Sequence, residues 1–445
     1  MKQFLHLWVP IFLSNSIIML AGIFDMIFLS HYSPQHVAAM AVCLSIYSLL
    51  FVSGTGILQG MMQELAEAYG RRAFDDIQKI LKQSILIVGV LSVFAGWLLT
   101  HADPLLHLLK ADSALQALIQ PCLWLLAWTL PAHLLVRILY ILTQACGQAK
   151  RVFYANIFYL IFKVSLAYCL IFGIQGYVPA YGVEGAFIAH LTVQWALLVV
   201  YYLIFLEKQL RVHWSGQFFH FKTLLKILRI GLPSAIVVFI DVFTISAIAL
   251  LILPLGEIMV NAHQVARGLA GLLFMVPFSM SSAFSILVST RIGANQVQSA
   301  WALTFKALRV VVASAVVLAV LIAIFQKPIV ALFSDHTDVL TVSLALMFLL
   351  CWMHIFDAIL VISVNMLRCW KVVIFPMFIF SGVLLLGGLG GGWYLAYHPV
   401  SLFNLNLDVS GISGFWWMLA ISYTFAALMC LLCLALKYRK HLQTA

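Results

Sequence analysis

Charge is what this sequence has least of: 9% of its 445 residues are Asp, Glu, Lys or Arg, where a soluble globular chain carries about 25%. With 64% of residues apolar and a mean hydropathy of +1.07, water is excluded as the main solvent. Other features are missing as well. No Walker A pattern occurs, which argues against an ATP-driven pump in one chain. The glycine-rich stretch Gly387–Gly392 is no phosphate cradle, because no strand precedes it and no Lys-Ser/Thr pair follows; close helix packing or a flexible span explains it better. No small-residue cleavage site follows the first apolar run, so that run is expected to stay as a span. The eight cysteines lie almost all inside apolar runs, which excludes a disulfide framework. Cys430 and Cys433 form a C-x-x-C without further ligands and read as packing. The histidines show no metal-ligand spacing, so neither cofactor nor enzymatic chemistry is expected.

What is present is a series of apolar runs of about 20 residues, each long enough to cross roughly 30 Å of hydrocarbon as a helix. They are continuous, with no period-two alternation, which favours helices over a β-barrel. About twelve spans are expected, near 7–30, 37–65, 78–101, 115–145, 152–174, 182–206, 224–252, 257–289, 299–325, 337–367, 372–396 and 411–437. Basic residues gather in alternate loops: Arg71 and Arg72, Lys150 and Arg151, Lys208 and Arg211, Arg291, Lys371, and Lys437, Arg439 and Lys440 at the end. The opposite loops hold Lys110 and Lys327 among acidic residues such as Asp103, Asp112, Glu184, Asp335 and Asp408. The positive-inside rule then places both termini in the cytoplasm, which requires an even number of spans. The net charge of +10, spread this way, fits orientation in a membrane and not a nucleic-acid partner.

The chain also repeats itself. Pro10 matches Pro233, Val37-Ala38-Ala39 matches Val260-Asn261-Ala262, Val42 matches Val265 and Gly70 matches Gly293, all at one ungapped offset of 223 residues. Each half holds six spans and, six being even, both halves share one orientation. The expected fold is an all-α polytopic membrane protein with two parallel-repeat six-helix bundles around a central cleft, where such repeats place a substrate path. Residues 1–206 form the first bundle, 207–223 a polar cytoplasmic linker containing Glu207, Lys208, Arg211, His213 and Trp214, and 224–445 the second bundle with a short tail.

A charge inside a span costs about 2.5–3.5 kcal/mol on insertion scales, so each calls for a reason. Asp25, Lys163, Asp241 and Asp357 all fall within spans. Asp241 and Asp357 are roughly 15 Å deep at 1.5 Å per residue, too deep for a short side chain to reach an interface. His354, Asp357, Val361 and Asn365 share one helical stripe, and Ser234, Asp241 and Thr244 another. Burial favours the neutral carboxyl and an arriving cation the charged one, a competition that can couple ion arrival to cargo release. Asp241, Asp357 and Asp25 are therefore the candidates for proton or cation coupling, with Asp241 and Asp357 a possible sodium site. Asn156 and Tyr159 precede Lys163 on one helix face; the preferred reading pairs Lys163 with Asp25, and the alternatives are a Lys held neutral by burial or one reaching a water-filled cavity. Arg137 and Arg267 are expected to be held by carbonyls or buried carboxylates.

Motifs recur in collinear order through nearly the whole chain. The first half reads Asp25-Met26-Ile27-Phe28, Val37-Ala38-Ala39-Met40-Ala41 and Glu64 through Gly70; the second reads Gly231-Leu232-Pro233, Pro254-Leu255-Gly256, Ala262-His263-Gln264, Phe274 through Ser279, Arg291-Ile292-Gly293, Phe356-Asp357-Ala358 and Leu367-Arg368. This ordered set resembles the multidrug and toxic-compound extrusion (MATE) family, nearest its bacterial NorM-type branch. The resemblance implies export of amphipathic, often cationic small molecules from a bacterial cell across its inner membrane, in exchange for protons or sodium, by a protein working as a monomer among membrane lipids. It implies roles for Asp25 in the first helix and Asp357 in the tenth. Asp241 stands where that branch usually carries Glu, and Lys163 where relatives usually have Asn. Candidates for the substrate cleft are Lys163, Asn156, Tyr159, His263, Gln264, His354 and Asn365. A lipid-linked saccharide flippase of the same superfamily, or an exporter of an anionic or zwitterionic metabolite, is the alternative.

Overall fold

Uninterrupted apolar stretches can satisfy their backbone in a membrane only by closing hydrogen bonds within each segment, and the chain does so twelve times. A computed structural model describes residues 1–108, 112–175, 177–212, 217–333, 336–398 and 411–444. Among them, twelve helices are long and apolar enough to cross a membrane: α1 Lys2–Tyr32, α2 Pro34–Gly70, α3 Phe74–Thr100, α4 Ser113–Ala145, α5 Ala149–Phe172, α6 Val183–Phe205, α7 Phe221–Leu255, α8 Glu257–Gly293, α9 Val297–Ala331, α10 Thr337–Cys369, α11 Ile374–Tyr397 and α12 Ile412–Gln443. Each answers one expected span, and no strand is formed by the described residues. Lys110, His213, Trp214, Asp335 and Asp408, all named above, lie outside the described residues.

Helix ends follow local chemistry. The Asp112 carboxylate caps α4 by accepting from the Leu115 amide at 2.6 Å, satisfying one of the first-turn donors that a helix leaves open. Four turns, after α2, α4, α8 and α10, share one backbone solution. A left-handed residue, Arg72, Gly147, Asn295 or Lys371, donates to the carbonyl three residues back, and the next amide reaches five back, as in Ala73 to Ala68 and Gln296 to Arg291. This is the Schellman arrangement. Arg72 and Asn295 stand at the offset of the sequence repeat, so the duplication is visible in backbone geometry as well as in residues.

Two irregularities have identifiable causes. Pro328 lies in α9, where Phe325 leaves helical geometry (φ −100°, ψ 17°), because a proline ring crowds the preceding turn and supplies no amide. In α11, Val383–Gly391 winds as a π-helix. Glycines in it and just after it press against α12: a Cβ at Gly388 would meet Leu419 at 3.2 Å and one at Gly392 would meet Phe415 at 2.7 Å. The Ser422 hydroxyl donates to the Val383 carbonyl at 3.2 Å. The glycine-rich stretch is thus helix packing.

The chain divides into two compact units, Met1–Ala235 and Ile236–Ala445, with the boundary inside α7. The linker belongs to the first. Buried Gln83 of α3 donates to the Phe218 carbonyl at 2.7 Å, Gln78 to Arg211 at 3.0 Å, and Arg151 pairs with Glu207 at 2.7 Å. The start of α7 is also locked there. A Cβ on Gly60 of α2 would run into the Ile227 carbonyl, and one on Gly231 into that of Ile57. Small residues at such a crossing let two backbones touch.

Candidate functional site

In the first unit, five helices turn polar faces inward at helical spacing. α1 contributes Asp25, α2 Tyr47, α4 His133, Arg137 and Tyr140, α5 Asn156, Tyr159 and Lys163, and α6 His190 and Gln194, and together they line a cavity of about 370 Å³. Lys163 and Asp25 form an ion pair with side chains 2% and 9% exposed, and Lys163 Nζ also reaches the Ala21 carbonyl at 3.4 Å. The ammonium is therefore held twice by α1, while Asp25 Oδ1 stays buried without a partner among the described residues. Taking two charges out of water is costly and is repaid only when the charges meet at contact, which is the arrangement seen.

The remaining polar groups are paired across helices. The Tyr140 hydroxyl donates to Asn156 Oδ1 at 2.7 Å, leaving Asn156 Nδ2 buried and unpartnered. Tyr47 Oη and His133 Nδ1 are 2.9 Å apart, and Tyr159 Oη and His190 Nδ1 are 3.0 Å apart. His133 stacks on Phe51 with ring centroids 3.8 Å apart. Arg137 departs from expectation: its Nε is buried with no hydrogen-bond partner, and among the described residues neither a carbonyl nor a carboxylate holds it. The one acid lining the same cavity, Asp25, is already engaged by Lys163. Arg267 departs too, since it is exposed.

In the second unit, the Tyr423 hydroxyl of α12 donates to Asp241 Oδ1 of α7 at 2.8 Å. Asp357 of α10 is close enough to interact electrostatically with Asp241 and with Tyr423. Both carboxyl side chains are partly buried. Ser234, on the same helix as Asp241 but in the first unit, is satisfied at the Ile230 carbonyl, and Thr244 Oγ1 is buried without a partner among the described residues. His354 is buried with Nε2 unpartnered. Asn365 is engaged at both ends of its amide: Nδ2 donates to the Val361 carbonyl at 2.9 Å and Oδ1 accepts from Arg368 at 3.1 Å. His263 is buried beside Trp416, ring centroids 6.0 Å apart, with both ring nitrogens unpartnered among the described residues, whereas Gln264 is exposed.

Comparison with known proteins decides the family. A family model described as MatE matches residues 10–169 and 233–389. The chain is a member of the MatE family. The two MatE segments begin at Pro10 and Pro233, the prolines that the internal repeat aligns. A probable multidrug resistance protein NorM of Aromatoleum aromaticum is 28% identical over 425 residues, covering 93% of this chain and 89% of that protein. The multidrug resistance protein MdtK of Edwardsiella ictaluri is 28% identical over 433 residues, covering 96% and 93%. A crystal structure of a MATE protein in the bent conformation superposes with a TM-score of 0.87 at 16% identity, covering 100% of this chain and 96% of that one, and at that identity it shows the fold. The protein is thus a multi-pass membrane transporter and not an enzyme.

Within this MatE chain, the structure gathers Asp25, Lys163, Asn156 and Tyr159 in the first unit and brings Asp241 into range of Asp357 in the second. To these it adds Tyr47, His133, Tyr140, His190, Gln194 and Tyr423, which sequence reasoning misses. His133 and Arg137 are one turn apart, as are His190 and Gln194, and that spacing is the signal the sequence holds. Tyr423 offers none, since it meets Asp241 across 182 residues of chain.

Proposed function

We propose that this chain is a secondary active exporter, an antiporter that moves small amphipathic organic compounds outward against inward proton or sodium flow by alternating access. The observation that carries this reading is the acid pair of the second unit, Asp241 with its Tyr423 donor and Asp357 within reach of its charge. Acidic side chains inside membrane-spanning helices mark ion paths, and an arriving proton or cation is what these two carboxyls can take up. Tyr423 engages Asp241 Oδ1, which leaves the other oxygen for the ion. Coupling is assigned to Asp241 and Asp357, and Asp25 contributes less because Lys163 already neutralises it. A bacterial inner membrane, cytoplasmic termini and a monomer working among lipids complete the reading. The basic residues Arg71, Arg72, Lys150, Arg151, Arg291 and Lys371 all cluster at the four Schellman turns, as loops on the cytoplasmic side would have it.

A second reading, export of an anionic or zwitterionic metabolite instead of the cationic compounds that the family resemblance implies, is favoured by Arg137 and Lys163 against a single acid in the first cavity. A lipid-linked saccharide as cargo gains little, since 370 Å³ suits a compact molecule. The test is gradient-driven uptake into everted membrane vesicles, wild type against Asp357→Asn at matched expression, with cationic and anionic fluorescent compounds. Uptake that needs a proton or sodium gradient and vanishes in the variant supports antiport and names the ion. Absence of gradient-driven uptake for every compound sinks it.

A further inference from the structure

We infer that the cavity of the first unit selects organic anions, and that Arg137 is the residue that holds their carboxylate. The inference rests on the transporter reading only in taking this cavity as a cargo site. Its charged and titratable lining comprises Asp25 from α1, His133 and Arg137 from α4, Lys163 from α5 and His190 from α6, together with the hydroxyls of Tyr47, Tyr140 and Tyr159. Asp25 and Lys163 cancel each other at contact. Both imidazoles have a tyrosine hydroxyl at Nδ1. What remains is one guanidinium, a planar cation with five N–H donors and no acceptor. Its Nε is buried with no partner among the described residues.

An unsatisfied donor on a charged group is expensive to bury, whereas a carboxylate delivered to it makes a charge-assisted bond of the stronger kind. Asn156, whose Nδ2 is also buried and unpartnered among the described residues, lines the same cavity. A cationic cargo would meet the charge of Arg137 with the sole acid of the lining already taken by Lys163. Phe51, Tyr47 and His133 line the same cavity, with Phe51 stacked on His133, and supply aromatic contact for the rest of the molecule. The class that fits is a planar aromatic acid of modest size: donors for one carboxylate, aromatic walls for one ring system, and a volume of about 370 Å³.

The experiment is calorimetric binding to the full chain in lipid nanodiscs, with three bicyclic probes of similar shape: coumarin-3-carboxylate, its neutral coumarin-3-carboxamide, and the cation N-methylquinolinium. The carboxylate is expected to bind about tenfold tighter than the amide, the worth of one charge-assisted hydrogen bond. Arg137→Gln removes that difference and Arg137→Lys keeps part of it. The wild-type comparison of acid with amide decides the matter even where a variant does not fold. Equal affinity for acid and amide, a tighter cation, a preference that survives Arg137→Gln, or no binding by any probe overturns the inference. Anion preference without gradient-driven flux would sink antiport and leave this assignment standing; flux without anion preference would do the reverse.

Discussion

Lys163 and Asp25 hold each other across α5 and α1, and the same ammonium reaches the Ala21 carbonyl one turn before its partner acid. Removing one member of a buried pair strands the other, at a cost of about 3–5 kcal/mol, while replacing both by apolar residues is often close to neutral. Lys163→Asn and Asp25→Asn should each lower the unfolding temperature in detergent clearly. The double substitution of Lys163→Met with Asp25→Leu should restore most of the loss. Additive losses in the double variant would mean that the two residues act separately.

Tyr423 donates to Asp241 across α12 and α7. Tyr423→Phe keeps the ring and its edge contact with Phe380, at 6.1 Å between centroids, and deletes only the hydroxyl. The unfolding temperature should move little, while the ion concentration giving half-maximal transport shifts by about tenfold, the worth of one hydrogen bond to a charged group. Flux measured against proton and sodium concentration checks this. An unchanged ion dependence would reduce Tyr423 to packing.

Gly60 and Gly231 touch the opposite backbone, with Ile227 and Ile57 in the way of any Cβ. Alanine at either should cost about 1–3 kcal/mol, as overpacking does, and lower the yield of folded protein. At Gly89 an added methyl would find nothing within 4 Å, so Gly89→Ala should be neutral or stabilising by up to about 1 kcal/mol from helix propensity. Thermal unfolding of the three variants side by side separates crowding from propensity.

Gln83 is fully buried and ties the linker at Phe218. Gln83→Leu should loosen residues 207–212 and speed trypsin cleavage after Lys208 and Arg211, with the rate in wild type as reference. Equal rates would show that the remaining ties, Gln78 to Arg211 and the Arg151–Glu207 pair, suffice to hold the linker.

The twelve helices are legible in the sequence because apolar runs in a membrane have one cheap backbone solution, and the repeat is legible because Pro10 and Pro233, like Gly70 and Gly293, keep their register. The Lys163–Asp25 pair is legible for a related reason: two costly charges inside spans suggest each other. Tyr47, His133 and His190 are not, because tyrosine and histidine in an apolar run are ordinary residues until a cavity gives them a common face. Arg137 is legible only in part. Sequence shows that a charge is buried but not whether its neighbours satisfy it, and here the cavity's acid is spent on Lys163. The π-helical turn of α11 is also hidden, since its glycines specify closeness to Phe415 and Leu419 only once α12 is in place.

A carboxylate and an ammonium bound together are electrically silent. Moving one elementary charge through the membrane voltage is worth about 2.3 kcal/mol per 100 mV. A lone Asp25 shifting with α1 would therefore feel the cell's resting potential, and its motion would speed or stall as that potential changed. Tied to Lys163, α1 and α5 carry a dipole instead of a charge, and any excursion they make together draws almost no current. Voltage then has no handle on α1 and α5 at the depth of that pair, and within the first cavity it can pull only on the guanidinium of Arg137 on α4 and on whatever ion or cargo comes to meet it.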